Sequence, residues 1–208
     1  MAEHGWLGPI EWAAAARPLS GEEACGDNSV AIDVNRGGAL FGVLDGLGHG
    51  TEAAKAAASG VDVLRRDPTK PLDVLIQLCH RALGDTRGVA MTLARIDFET
   101  DMLSWTGIGN VSANLVAKGP RGVEVRSSAL LAGGIVGYRI PDTIHTQAIS
   151  VRPGDLLVIA SDGIAEDHLE NIDFTASASV IVEQIIHRCG KDTDDALVLT
   201  ARHRGASG

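Results

Sequence analysis

The sequence predicts an α+β fold in which antiparallel sheets form the core and a few helices cover them. Short apolar runs follow one another with only tight turns between them, and helical spacing of apolar residues is confined to three stretches. Repeating βαβ units would need a helix between successive strands, so the sheets should be antiparallel. A chain of 208 residues, 45% of them hydrophobic, fits one domain, which we expect to span residues 1–208.

A hairpin and two helices are the first elements that the sequence predicts. The runs SVAIDV (29–34) and ALFGVLDG (39–46) have strand character, and the NRGG between them indicates a turn. Residues 51–66 are rich in alanine and favour a helix, which should end before Pro68 because a residue preceding proline avoids helical angles. Residues 71–83 show helical spacing and open with proline, which the first turn of a helix tolerates.

The second half of the chain alternates strands with short turns and returns to a helix only near its end. Strands are predicted at 89–97, 102–109, 111–117, 146–151, 155–163 and 194–202. The segment 177–189 has the spacing of an amphipathic helix. Aromatic residues make up only 3% of the chain, so aliphatic side chains must fill the core.

Composition limits the partners and the compartment. The formal net charge of −9 argues against nucleic acid or an anionic membrane as the main partner. Cys25, Cys79 and Cys189 are far apart and form no CxxC pair, so neither a disulfide framework nor a thiolate zinc site is expected. The N-terminus lacks a signal-peptide pattern, and no apolar run approaches the roughly 18 residues of a membrane span. We therefore expect a cytoplasmic protein, monomeric or weakly dimeric.

Four aspartates stand at the ends of predicted strands. Asp45 and Asp162 each close an apolar strand and precede a glycine, Asp194 opens the last strand, and Asp27 precedes the first. An unpaired carboxylate beside a buried run is costly or takes up a proton. Several converging carboxylates are best relieved by a hard divalent cation, which prefers oxygen ligands. An Asp–Gly pair is also the ordinary composition of a turn, and the spacing alone leaves both interpretations open.

The segment GLGHG (46–50) also imitates the start of a dinucleotide-binding fingerprint. Thr51 occupies the position where the pattern GxGxxG needs its third glycine. Asp45 directly before the loop would repel a pyrophosphate, and the later antiparallel strands do not suit a parallel, doubly wound sheet. The pattern therefore disfavours nucleotide binding.

Six stretches, taken together, resemble the PPM-type metal-dependent serine/threonine phosphatases, specifically their SpoIIE-like branch. They are CGDNSVAI, VLDGLGHGTEAAKAA, DTRGVAMTLARID, GIGNVSANLV, PGDLLVIASDGI and TDDALVL, in the order of the family and within residues from about 10 to 202. The resemblance is strongest to stand-alone members that act on stressosome proteins. It implies a four-layer αββα sandwich, two antiparallel sheets flanked by helices, with two Mn²⁺ or Mg²⁺ ions at one edge.

The resemblance also implies roles for the acids. Asp45 would bridge both ions, and the carbonyl of Gly46 would bind one of them. Asp162 and Asp194 would hold the other ion, while Asp27 would act mainly through a metal-bound water. Asp195 adjoins Asp194 and alternates to the opposite face of a strand, so the choice between the two depends on register.

The implied reaction is hydrolysis of phosphoserine or phosphothreonine on a bacterial signalling protein, a stressosome component or an anti-anti-sigma factor. Two cations would offset the charge of the phosphate and activate a water that attacks directly, without a covalent enzyme intermediate. Asp45 and Asp162 are the catalytic candidates. The alternative is a catalytically weak module of the same fold that acts by docking to a regulatory partner.

Other residues carry weaker expectations. His49 could protonate the leaving oxygen, or it could cap the helix or contact a carboxylate. Arg87 could steer phosphate or form a surface ion pair, and Asn110 is expected to support a turn. Arg17 is a weak candidate for a phosphate-binding arginine. The segment 138–146 could face the substrate or serve as a plain connector.

Overall fold

Two β-sheets stack face to face in the computed structural model, which describes residues 2–35 and 37–205. Sheet A contains, in spatial order, β1 (Glu3–Leu7), β2 (Ile10–Arg17), β12 (Ala196–His203), β11 (Leu156–Ala160), β7 (Ser112–Gly119) and β8 (Gly122–Ser128). Sheet B contains β10 (Gln147–Ser150), β6 (Met102–Ile108), β5 (Val89–Asp97), β4 (Gly38–Gly46) and β3 (Asp27–Asp33), with β9 (Leu131–Ala132) beside β6. Strands in these sheets pair antiparallel, apart from the short parallel pairing of β9 with β6.

Helices cover the outer face of each sheet. The helix α1 (Gly50–Arg66) packs on β3 and β4, and α2 (Leu72–Ala82) lies beside it. The helix α3 (Ala178–Cys189) packs on β2 and β12 of sheet A, next to a short 3₁₀ turn at Glu166–Leu169. The four-layer αββα sandwich is therefore confirmed. In the part of the chain described, no helix is both long and apolar enough to cross a membrane.

The alternation of side chains along β4 explains the layers. Phe41 and Val43 point into the core between the two sheets, whereas Leu40 and Leu44 point into the core beneath α1 and α2. All four are fully buried, so β4 is apolar on both faces and appears in the sequence as a continuous hydrophobic run. A third apolar layer joins sheet A to α3.

The N-terminal hairpin was not predicted from the sequence. The strands β1 and β2 pair with each other, and β2 also pairs along its whole length with β12. The run AAAA at 13–16 lacks the branched side chains typical of strands, but Ala13, Ala14 and Ala15 are buried between neighbouring layers. Small side chains let these layers approach closely, so tertiary packing decides the conformation here.

Other boundaries differ in smaller ways. The strand β8 was also missed, and β11 ends at Ala160, so Asp162 and Gly163 lie just beyond the strand that was expected to include them. The remaining predicted strands and the three predicted helices are confirmed to within two residues. Cys25, Cys79 and Cys189 are all free thiols.

Candidate active site

Acidic residues from both sheets meet at one edge of the sandwich. Asp45 at the end of β4 lies directly opposite Asp27 at the start of β3. Burial first, and then the charges of Asp27, Asp162 and Asp194, together raise the pKa of Asp45 to about 9. These acids are therefore close enough to repel one another, as the strand-end pattern predicted.

Asp27 is the most deeply enclosed member of the pair on sheet B. Its side chain is 7% exposed, and burial, followed by the charges of Asp195, Asp162 and Asp194, raises its pKa to about 7. A hydrogen bond with the Ser161 hydroxyl opposes this rise. The site thus holds more negative charge than its protein surroundings neutralise.

The two consecutive aspartates before β12 have different environments. Asp195 is 2% exposed, and its Oδ1 accepts a hydrogen bond from the backbone N–H of Leu19 at 2.8 Å. Asp194 is half-buried, and its pKa is raised by burial and by the charges of Asp162 and Asp195. Asp194 therefore belongs with Asp162 on the accessible side, while Asp195 faces the interior beside the thiol of Cys25, whose pKa burial raises to about 12.

The glycines after Asp45 and Asp162 allow backbones to approach closely. A Cβ on Gly46 would lie 2.3 Å from the carbonyl oxygen of Ala53 in α1, and one on Gly163 would lie 1.8 Å from the carbonyl oxygen of Asp195. Each Asp–Gly pair therefore lies where the backbone packs closely against another segment, α1 beside Gly46 and the residues before β12 beside Gly163. Since the chain is not a doubly wound parallel sheet, the GLGHG segment does not form a dinucleotide-binding fold.

Neighbouring polar groups orient the acids. Asn110 donates from its side-chain amide to Oδ2 of Asp162 at 2.6 Å, a contact that its predicted turn role did not include. Lys191 donates from Nζ to the carbonyl oxygen of Asp162 at 2.6 Å. Lys191 was not recognised from the sequence, because only the fold brings residues 29 positions apart together.

His49 contacts a carboxylate instead of capping α1 with its side chain. Its Nδ1 lies 2.6 Å from Oε1 of Glu22, and its positive charge, when protonated, lowers the pKa of Asp194. Glu22 was also missed, since nothing in the stretch SGEEACGD distinguishes it from Glu23. The imidazole therefore lies at the edge of the acidic cluster with one nitrogen fixed.

The remaining sequence candidates lie around this edge. The Arg17 guanidinium donates to the carbonyl oxygen of Lys191, next to the site. Arg87 approaches Gly48, and it adds to the lowering of the pKa of exposed Glu52 that is due mainly to Lys55. Within 138–146, Arg139 and Asp142 line a cavity of about 500 Å³.

The donor set suits a hard divalent cation. Oδ2 of Asp27 and Oδ2 of Asp195 are buried without a hydrogen-bond partner among the described residues. Over residues 2–35 and 37–205, no three Asp, Glu, His or Cys side chains are closed around one metal position. Mg²⁺ fits such a site, because it is usually held by one or two carboxylates and keeps several waters.

Comparison with known proteins places the chain in a family. The model of the Stage II sporulation protein E (SpoIIE) family matches residues 35–204. The phosphoserine phosphatase RsbX of Bacillus subtilis (strain 168) is 25% identical over 144 residues, which are 69% of each chain. The Stage II sporulation protein E of Priestia megaterium is 22% identical over 85% of this chain, which corresponds to 33% of that longer protein.

Solved structures share the fold. A chain described under "The bacterial stressosome: a modular system that has been adapted to control secondary messenger signaling" superposes with a TM-score of 0.84 at 32% identity, covering 93% of this chain and 99% of that one. RsbX in complex with magnesium gives a TM-score of 0.81 at 22% identity over 97% and 99%. The Mycobacterium tuberculosis serine/threonine phosphatase PstP gives 0.71 at 17% identity over 94% and 99%. The chain therefore belongs to the SpoIIE family and is a serine/threonine phosphatase of the PPM type.

Proposed function

We propose that the protein hydrolyses phosphoserine or phosphothreonine on a bacterial signalling protein of the stressosome or anti-anti-sigma type. The observation that carries the proposal is the meeting of Asp27, Asp45, Asp162 and Asp194 at one edge of the sandwich. The relative RsbX is a phosphoserine phosphatase, and a chain described in work on the bacterial stressosome is 32% identical to this one. Both relatives support a role in stress signalling.

The proposal includes two Mn²⁺ or Mg²⁺ ions. Asp45 would contact both, the carbonyl of Gly46 one, and Asp162 and Asp194 the other, with Asp27 acting through water. The ions supply positive charge for the phosphate ester and activate the attacking water. The repulsion among the acids at Asp45 and the unpartnered Oδ2 of Asp27 support this assignment.

Polar side chains around the acids prepare the site for the reaction. The amide of Asn110 holds the carboxylate of Asp162 in one orientation. Glu22 fixes His49 through Nδ1, which leaves Nε2 to donate a proton to the departing serine oxygen. Asp194 is the preferred ligand over Asp195, whose Oδ1 is already engaged by the backbone of Leu19.

The same proposal covers the molecule as a whole. Residues 1–208 form one phosphatase domain that works in the cytoplasm as a monomer or weak dimer. Its partner is the phosphorylated regulatory protein, with neither nucleic acid nor membrane required. The net charge of −9 supports this choice of partners.

Hydrolysis of a phosphoserine peptide with Mn²⁺ or Mg²⁺ tests the function. The wild-type protein should release phosphate, EDTA should stop the release, and Asp45→Asn or Asp162→Asn should lower kcat by at least about a thousandfold. The matched control is Asp62→Asn, which changes an exposed acid on α1 outside the cluster. Turnover that survives EDTA and both site substitutions would contradict the proposal, and partner binding without turnover would favour the docking module.

A further inference from the structure

A groove of about 410 Å³ opens beside Asp162 on the outer face of sheet A. The helix α3 covers β2 and β12, and the outer face of β7 lies in the floor of the groove. The 3₁₀ turn at Glu166–Leu169 contributes one wall, and Lys191 contributes to the rim near Asp162. The volume falls in the usual range for binding pockets, about 300–1,000 Å³.

The floor of the groove is polar because of the alternation along β7. Ala113 and Leu115 point into the core between the sheets, so Ser112 and Asn114 point outward into the groove. On the neighbouring strand β11, the outward residues Val158 and Ala160 are instead buried in the apolar layer under α3. The polar pair on β7 is therefore a local feature of the sheet.

Several hydrogen-bonding groups in the groove have unused capacity. His168 is 6% exposed and donates from Nδ1 to the carbonyl oxygen of Ala165 at 2.7 Å, so Nε2 carries an acceptor lone pair. That buried Nε2 has no partner in the part of the chain described. Burial also lowers the pKa of His168, which keeps the ring neutral.

Two asparagines add a donor and an acceptor. Oδ1 of Asn114 accepts from the Ser128 hydroxyl at 2.7 Å, which leaves its amide hydrogens to donate. The amide of Asn110 donates to Asp162, which leaves its Oδ1 to accept. The groove therefore offers both kinds of hydrogen-bonding group along its length, as an extended peptide backbone does.

The charge of the groove disfavours an acidic occupant. The Lys191 ammonium already donates to the carbonyl oxygen of Asp162, and the Glu166 carboxylate also lines the groove. An acidic side chain of the occupant would also be repelled by the aspartates at the edge of the sandwich. An apolar side chain would bury the amide hydrogens of Asn114 and leave Nε2 of His168 without a partner, which is costly.

We propose that this groove binds the residues that flank the phosphoserine of the substrate protein, as an extended segment of uncharged polar side chains. The proposal rests on the proposed function, because Asp162 at the end of the groove belongs to the catalytic cleft. It assigns Asn114 and His168 as specificity-determining residues outside the metal site. Small phosphate esters do not reach them.

Three probes with Mn²⁺ test the groove: p-nitrophenyl phosphate, a phosphoserine peptide with Gly, Ser and Asn flanks, and the same peptide with Asp flanks. The wild-type protein should prefer the uncharged peptide over the Asp-flanked one by about tenfold in kcat/KM. Asn114→Trp, which fills the groove, should lower kcat/KM for the uncharged peptide by about tenfold and leave p-nitrophenyl phosphate unchanged. Asn114→Ala should also lower kcat/KM for the uncharged peptide, by a smaller factor. Because this variant adds no bulk, it still tests the groove if Asn114→Trp misfolds.

The matched control is Val180→Trp, which adds the same side chain to an exposed position on α3. If Asn114→Trp kept the wild-type preference between the two peptides and still hydrolysed p-nitrophenyl phosphate, the proposal that the groove binds the peptide would be overturned. The phosphatase function would still stand. An equal loss on both kinds of substrate would show a structural role and also overturn it. Failure of the wild-type protein to hydrolyse any phosphoserine probe would instead overturn the proposed function.

Discussion

Asp45 lies in an environment that disfavours its ionised form. Its pKa is raised to about 9 by burial first and then by the neighbouring acids. Keeping the carboxylate ionised near neutral pH therefore costs folding free energy in the absence of metal. The residue proposed to contact both ions is thus one whose ionised form the metal-free fold disfavours.

Asp45→Asn should separate stability from activity. At pH 7 folding requires Asp45 either to take up a proton or to bury its charge, and asparagine avoids both costs. The substitution should therefore raise the metal-free free energy of unfolding by at least about 1 kcal/mol at pH 7, while phosphatase activity is lost. Thermal unfolding with EDTA, run beside the Asp62→Asn control, measures the first effect. A metal-free variant less stable than the wild type would show that the repulsion at Asp45 is unimportant.

Asp194 and Asp195 should respond differently to the same substitution. Asp194→Asn should weaken Mn²⁺ binding by roughly tenfold or more with little change in metal-free stability. Asp195→Asn keeps an oxygen for the Leu19 N–H but removes a buried charge, so its metal affinity should change less. Calorimetric titration of both variants decides between them, and the reverse order of affinities would identify Asp195 as the ligand.

At the scale of elements, the glycines after the acids fix how strands meet. Gly163 follows β11 and lets the chain pass against the backbone of Asp195 at the start of β12. Any side chain at this position must push the two segments apart, and with them Asp162 and Asp194. Geometry of the cleft is therefore coupled to the packing of β11 and β12.

Gly163→Ala should lower the free energy of unfolding by about 1–3 kcal/mol and reduce activity as well. The matched control is Gly133→Ala, where an added Cβ meets nothing within 4 Å. Urea denaturation and phosphate release on the two variants provide the measurements. Equal stability of the two variants would mean that the approach at Gly163 relaxes without cost.

The elements also show what the sequence could and could not reveal. Strands such as β4 and β11 were predictable because continuous apolar runs lead into Asp–Gly, and the same Asp–Gly pairs made Asp45 and Asp162 candidates for the site. The strand β2 was not predictable, because its alanines carry no strand preference and only pairing with β12 places them in a sheet. Lys191 and Glu22 escaped for the same reason, since their contacts join distant parts of the chain.

At the scale of the whole molecule, the acidic edge links folding to pH and to metal. The pKa values of Asp27 and Asp45 rise from 3.8 to about 7 and about 9 on folding. Both groups hold their protons more tightly in the folded state than in the unfolded one. Their contribution to stability is therefore greatest below pH 4 and is lost as pH rises through 7 and 9.

The metal-free protein should consequently lose stability between about pH 5 and 9, whereas saturating Mg²⁺ should flatten this slope. Cations held by the ionised acids of the folded state would favour that state increasingly as pH rises. Thermal unfolding across this range, with Mg²⁺ or with EDTA, is the measurement. If stability fell equally with pH in Mg²⁺ and in EDTA, the acids at this edge would not be the ones that bind the metal.

A crystal structure with Mn²⁺, using the anomalous signal of the metal, tests the central claim most directly. The account predicts two anomalous peaks at the edge of the sandwich where the acids of sheets A and B meet, with Asp45 beside both and with Asp162 and Asp194 beside one of them. Soaked crystals of Asp45→Asn should lose at least one peak. Mn²⁺ located away from these carboxylates, in a protein that hydrolyses phosphoserine, would contradict the account.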